Sequence, residues 1–77
     1  MQINIILFGQ LTDITGNASI ILEGVADTNS LRATLQEAYP ALINSKYIIA
    51  VDKKVIAENT RLTNNCTVAL MPPFSGG

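Results

Sequence analysis

A single segment of this chain repeats its apolar residues at helical spacing, while the other apolar runs alternate with a period of two. Leu31, Leu35, Ala38 and Leu42 form the helical stripe, with Arg32, Gln36 and Glu37 on the wet side. Thr28, Asn29 or Ser30 is available as the N-cap. Pro40 disfavours helix at Tyr39, so the main helix ends there and residues 41–45 add at most a turn. A lone helix can cover only one face of whatever sheet the strands build, and that limits the fold to a two-layer α+β arrangement.

The strand runs are 2–8, 18–23, 47–51, 55–56 and 66–71. In the first, Ile3, Ile5 and Leu7 share one face, and Ile6 and Phe8 lie on the other. Such a strand is either central and covered on both faces, or has one face reserved for a partner. Residues 11–17 carry Asp13, Thr15, Gly16 and Asn17, which is turn chemistry with room for one helical turn. This short connection predicts an antiparallel hairpin between the first two strands. Asp52-Lys53-Lys54 reads as a solvated turn, and 57–65 as an irregular Asn-rich stretch. Pro72-Pro73 ends the last strand, because proline cannot donate to a ladder.

Composition narrows the function. The chain has 77 residues and reads as one domain, too short to enclose a small-molecule active site unaided. A partner surface is the better expectation. Net charge is −1 and the five Lys and Arg are scattered, so there is no footprint for nucleic acid. Histidine is absent and cysteine occurs once, which excludes the common zinc sites and His-based triads. No metal site is expected. A single Cys66 permits no internal disulfide and fits a cytoplasmic setting. Its bland reading, a small apolar residue opening a strand, outweighs a persulfide role. The N-terminal apolar run is five residues long, which suits a strand and not a signal peptide or membrane span.

The end of the chain has its own organisation. Residues 1–71 read as the folded domain and 72–77 as a flexible, extended tail. Pro72 and Pro73 stiffen its base, Phe74 offers one apolar anchor, and Ser75, Gly76 and Gly77 carry almost no side-chain bulk. Six residues beyond Met71 reach about 20 Å at roughly 3.3 Å per residue. Two glycines let backbone enter a slot too narrow for any Cβ. The group so delivered is the α-carboxylate of Gly77. Adenylation by ATP turns that carboxylate into an activated acyl group, and attack by a sulfur donor leaves a thiocarboxylate. The carrier supplies positioning and its partners supply the catalytic groups.

The element order β-β-α-β-β-β resembles the ubiquitin-like β-grasp fold, a mixed four- to five-stranded sheet with one main helix on one face. Nearly the whole chain resembles the small subunit of molybdopterin synthase, within the ubiquitin-like sulfur carriers. The resemblance is carried by Phe8-Gly9-Gln10-Leu11, by Leu31-Arg32 with Leu35 and Tyr39-Pro40-Ala41-Leu42, and by Ala50-Val51-Asp52. The most specific match is Thr67-Val68-Ala69 followed by Pro72-Pro73-Phe74-Ser75-Gly76-Gly77. Three positions depart from the family pattern: Thr12-Asp13 for Arg-Glu, Asn64-Asn65-Cys66 for Gly-Asp-Glu, and Met71 for an aromatic.

The resemblance implies the following. An E1-like adenylating enzyme consumes ATP at Gly77, and a donor such as a cysteine desulfurase or rhodanese-like protein supplies sulfur. No cofactor is held permanently beyond the transient thiocarboxylate. The tail then enters the large synthase subunit, in a heterotetramer, and gives sulfur to a cyclic pyranopterin phosphate. Gly77 bears the sulfur, Gly76 and Ser75 thread the slot, and Phe74 with Pro73 anchor the interface. Phe8, Leu70 and Met71 are either an exposed apolar patch for the large subunit or ordinary core. The rival functions are a sulfur carrier for thiamine thiazole or tRNA thiolation, a modifier that ligates Gly77 to lysines, and a plain interaction module.

Overall fold

The computed structural model describes residues 2–73. Strand β1 (Gln2–Leu7) leads into a short helix α1 (Gln10–Thr15) and strand β2 (Ser19–Glu23). The main helix α2 (Thr28–Ala38) follows, then a 3-10 helix (Pro40–Asn44). Strands β3 (Ile48–Val51), β4 (Lys54–Ile56) and β5 (Thr67–Met71) complete the order. All five strands join one mixed sheet in the order β2-β1-β5-β3-β4. Strands β1 and β5 are parallel, and the other pairs are antiparallel.

Register explains the core. Ile5 faces Ile20 on one side and Val68 on the other, and Leu7 faces Leu70. These inward residues pack with Leu31 and Leu35 of α2 and with Leu42 of the 3-10 helix, all essentially excluded from water. Burying each such side chain is worth about 1.5–3 kcal/mol, so this layer dominates stability.

The helical stripe is shorter than the spacing predicts. Ala38 is exposed, because α2 ends there and Leu42 reaches the core from the separate 3-10 helix. Residues 10–15 form a six-residue helix, somewhat longer than the single turn for which the sequence leaves room. Burial of Leu11 and Thr15 drives this. The Thr15 hydroxyl donates to the Leu11 carbonyl at 3.1 Å, and Gly16 ends the helix at φ 74°. The Asp52–Lys53 turn is also tighter than expected. Both residues have positive φ, so two residues suffice and Lys54 already pairs with Val51.

The cap of α2 is Asp27, not Thr28, Asn29 or Ser30. Asp27 is extended, and its carboxylate accepts from the Ser30 N–H at 2.8 Å. Thr28 is buried and serves the tertiary fold, accepting from the Thr60 N–H at 2.9 Å. Asn59 closes the cluster: its carbonyl oxygen accepts from the Asn29 N–H, and its amide donates to Asp27. The Asn-rich loop is thus pinned to the helix start. The Ser30 backbone and hydroxyl, then the Asn59 amide, hold the Asp27 carboxyl below its ordinary pKa. A depressed folded-state pKa contributes stability above the ordinary carboxylate value, and that contribution is lost as pH falls through the folded value. Denaturant midpoints measured down the acid range are therefore expected to fall less steeply in Asp27→Asn, which keeps a capping oxygen without the titration.

Candidate functional site: an uncovered sheet face beside the chain exit

Helix α2 covers one face of the sheet, and among the described residues the opposite face stays open. Side chains of alternate parity point there: Asn4 and Ile6 of β1, Thr67 and Ala69 of β5, Ala50 of β3 and Val55 of β4. The register lines up Ile6, Ala69, Ala50 and Val55 across four strands. Two alanines between two branched residues leave a shallow trough. Ile6 is 36% exposed and Val55 66%. Phe8, just past β1, is 46% exposed and stands at one end. A groove of about 380 Å³ runs between Ile6, Phe8, Thr67, Ala69, Asp52 and Lys53.

The polar rim of this groove is fixed. The Asp52 N–H donates to the Thr67 carbonyl at 2.8 Å, and Thr67 N–H donates back to the Asp52 carboxylate at 2.9 Å. The turn between β3 and β4 is therefore strapped to β5. An apolar floor with a polar, immobilised rim is the anatomy of a protein-docking patch.

The chain leaves the sheet at the same end as Phe8, because β1 and β5 run parallel. Phe8 N–H donates to the Leu70 carbonyl at 3.1 Å, which holds the two strand ends together. Gly9 then turns the chain into α1 at φ 60° and ψ −139°, a conformation that suits glycine. A Cβ there would lie 2.7 Å from the Pro72 ring, so the glycine also makes room for the base of the tail. Gly9→Ala is expected to lower stability by about 1 kcal/mol or more. It should also shift the amide resonances of Leu70 and Met71, which a remote strain would leave alone.

The residues named from sequence divide three ways. Phe8 is exposed and Met71, opposite Ile48, is half-buried. Leu70 is a correction: it is fully buried, because its parity on β5 sets it against Leu7 and Ile49 inside the core. It has no surface to offer a partner. Pro73 is exposed, whereas Phe74, Ser75, Gly76 and Gly77 lie outside the described residues. Ile6, Ala69 and Val55 were not singled out, although the alternation of β1 and β5 already assigns Ile6 and Ala69 to the face away from the core. Cys66 is buried, and among the described residues no group of three His, Cys, Asp or Glu is placed to hold a metal. No described helix is long and apolar enough to cross a membrane.

Comparison with known proteins places this geometry. The model of the ThiS family matches residues 5–77. A chain in the complex of subunits 1 and 2 of molybdopterin-converting factor from Helicobacter pylori is 26% identical over the full length of both chains, with a TM-score of 0.73. Small archaeal modifier protein 1 of Methanosarcina acetivorans is 22% identical, covering 99% of this chain and 96% of its own, with a TM-score of 0.82. A Pyrococcus furiosus protein assigned as a candidate molybdopterin converting factor subunit 1 has a TM-score of 0.87 at 14% identity, covering 96% and 99%. The last two likenesses speak for the ubiquitin-like β-grasp fold alone.

Proposed function

Because the chain belongs to the ThiS family, with the fold of the ubiquitin-like sulfur carriers, we propose that it carries sulfur on Gly77 as the small subunit of a molybdopterin synthase. The observation that carries this reading is the uncovered apolar groove placed at the end of the sheet from which the chain runs on toward Gly77. A partner that docks on Ile6, Phe8 and Ala69 receives the tail in the same encounter, so one interface provides both affinity and aim.

The proposed chemistry has two stages. An E1-like enzyme joins the Gly77 carboxylate to AMP and releases pyrophosphate. The outer sulfur of a persulfide on a desulfurase or rhodanese-like donor then displaces AMP to give an acyl disulfide, and a second thiol reduces that S–S bond, leaving the thiocarboxylate and a disulfide on the thiol partners. The large subunit takes up the tail, threaded by Ser75 and Gly76 and anchored by Phe74 and Pro73, and directs the sulfur to the cyclic pyranopterin phosphate. A large-subunit partner is supported by the Helicobacter pylori structure, which is a complex of subunits 1 and 2.

The test is intact-mass analysis after incubation with the activating enzyme, ATP and sulfur donor, followed by assay of the thiolated chain with the large subunit. Replacement of one oxygen by sulfur, then formation of molybdopterin, is the expected result. Sulfur uptake without molybdopterin would move the chain to a thiazole or tRNA pathway. Isopeptide conjugates in cells would instead favour the modifier reading, for which the likeness to a small archaeal modifier protein supplies the motive.

A further inference from the structure

A second cleft lies on the helix side of the sheet, away from the groove. It measures about 260 Å³ and is lined by Arg32, Gln36, Ser45, Lys46 and Tyr47. No acidic side chain lines it. Arg32 and Gln36 come from successive turns of α2 and share one helix face. Ser45 and Lys46 come from the segment that brings the chain into β3. Two of the chain's five cations therefore meet at one cleft in a protein whose net charge is −1. The Arg32 guanidinium lies 5.9 Å from the centre of the Tyr47 ring, which orients it across the floor. The Tyr47 hydroxyl is buried and has no hydrogen-bond partner among the described residues.

Position adds to this. Tyr47 directly precedes Ile48, which pairs with Met71, so the cleft flanks the end of β5 on the covered face. We infer that this cleft binds an oxyanion, as a side-chain carboxylate of a docking protein or as a free phosphate. Arg32 presents the planar fork that both groups fit, Lys46 adds a second charge, and Gln36 supplies a neutral donor. It is distinct in place and polarity from the apolar groove, so a partner seated on one leaves the other available.

The test is an NMR titration of the isotope-labelled full chain with inorganic phosphate in one arm and a blocked tetraglutamate peptide in the other. Saturable shifts at Arg32, Gln36, Lys46 and Tyr47 are expected, weakened by about tenfold or more in Arg32→Gln and in Lys46→Gln. Both substitutions are at exposed side chains and leave the fold intact. Tighter binding of the peptide assigns the site to a partner's carboxylates, and tighter binding of phosphate assigns it to a free anion. Shifts that never saturate, or that are the same in Arg32→Gln and Lys46→Gln as in the unaltered chain, overturn the inference.

Discussion

A chain lacking Gly76 and Gly77 is expected to take up no sulfur from the activating enzyme, ATP and donor, whereas the full chain is expected to exchange one oxygen for one sulfur. The effect is all-or-none, because adenylation needs a terminal carboxylate that reaches the enzyme's active site. The truncated chain still ends on a carboxylate, that of Ser75, but about 7 Å short in reach. The one thiol, Cys66, is 4% exposed, behind β5 and the loop before it. Cys66→Ser should therefore take up sulfur like the unaltered chain, and intact mass reads both results. The truncation removes residues beyond β5, so its melting curve should match the full chain within about 0.5 kcal/mol. Equal sulfur loading of the truncated and full chains would refute the carrier reading outright.

Ile6→Asp is expected to weaken binding to the proposed large synthase subunit by about 30- to 1000-fold, the 2–4 kcal/mol of a central docking residue. Ile6 forms one wall of the groove, beside Ala69, and is 36% exposed. A carboxylate there must be desolvated when a partner seats, and the one cation lining the groove, Lys53, stands on an exposed turn where water screens it. Phe8→Asp acts in the same direction at the end of the groove nearer the tail. The control is Ile21→Asp on β2. Ile21 is 59% exposed and faces the same side, yet it pairs with Asn4 and lies outside the groove. Its effect should stay within a few fold. Calorimetric titration reads all three, and circular dichroism checks that each variant is folded. If Ile6→Asp binds as tightly as Ile21→Asp, the groove is not the docking face.

The elements were legible where local pattern decides them. The run Ile3, Ile5, Leu7 and the stripe of Leu31 and Leu35 commit their backbones by period alone, and both appear as read. The strand order was not legible, since the parallel pairing of β1 with β5 joins segments more than sixty residues apart and leaves no local trace. Asp27 was overlooked as the cap for a related reason. Its advantage over Thr28 depends on Asn59 and Thr60 arriving from a distant loop. The full length of α1 hid behind turn-forming side chains, because what stabilises it is burial of Leu11 and Thr15.

The site was half legible. The tail declares itself through Pro72-Pro73 and Gly76-Gly77, which need no tertiary context. The groove needs strand register, because only register brings Ile6, Ala69 and Val55 into one row. Parity along β5 would have been enough to remove Leu70 from the candidate surface, since Val68 and Leu70 alternate with Thr67, Ala69 and Met71.

Strand β5 is the last element in the chain and the middle one in the sheet. Until residues 67–71 emerge from the ribosome, β1 with β2 and β3 with β4 are two separate hairpins without a common ladder. Closing the gap requires a long-range parallel contact, the slow kind of folding step.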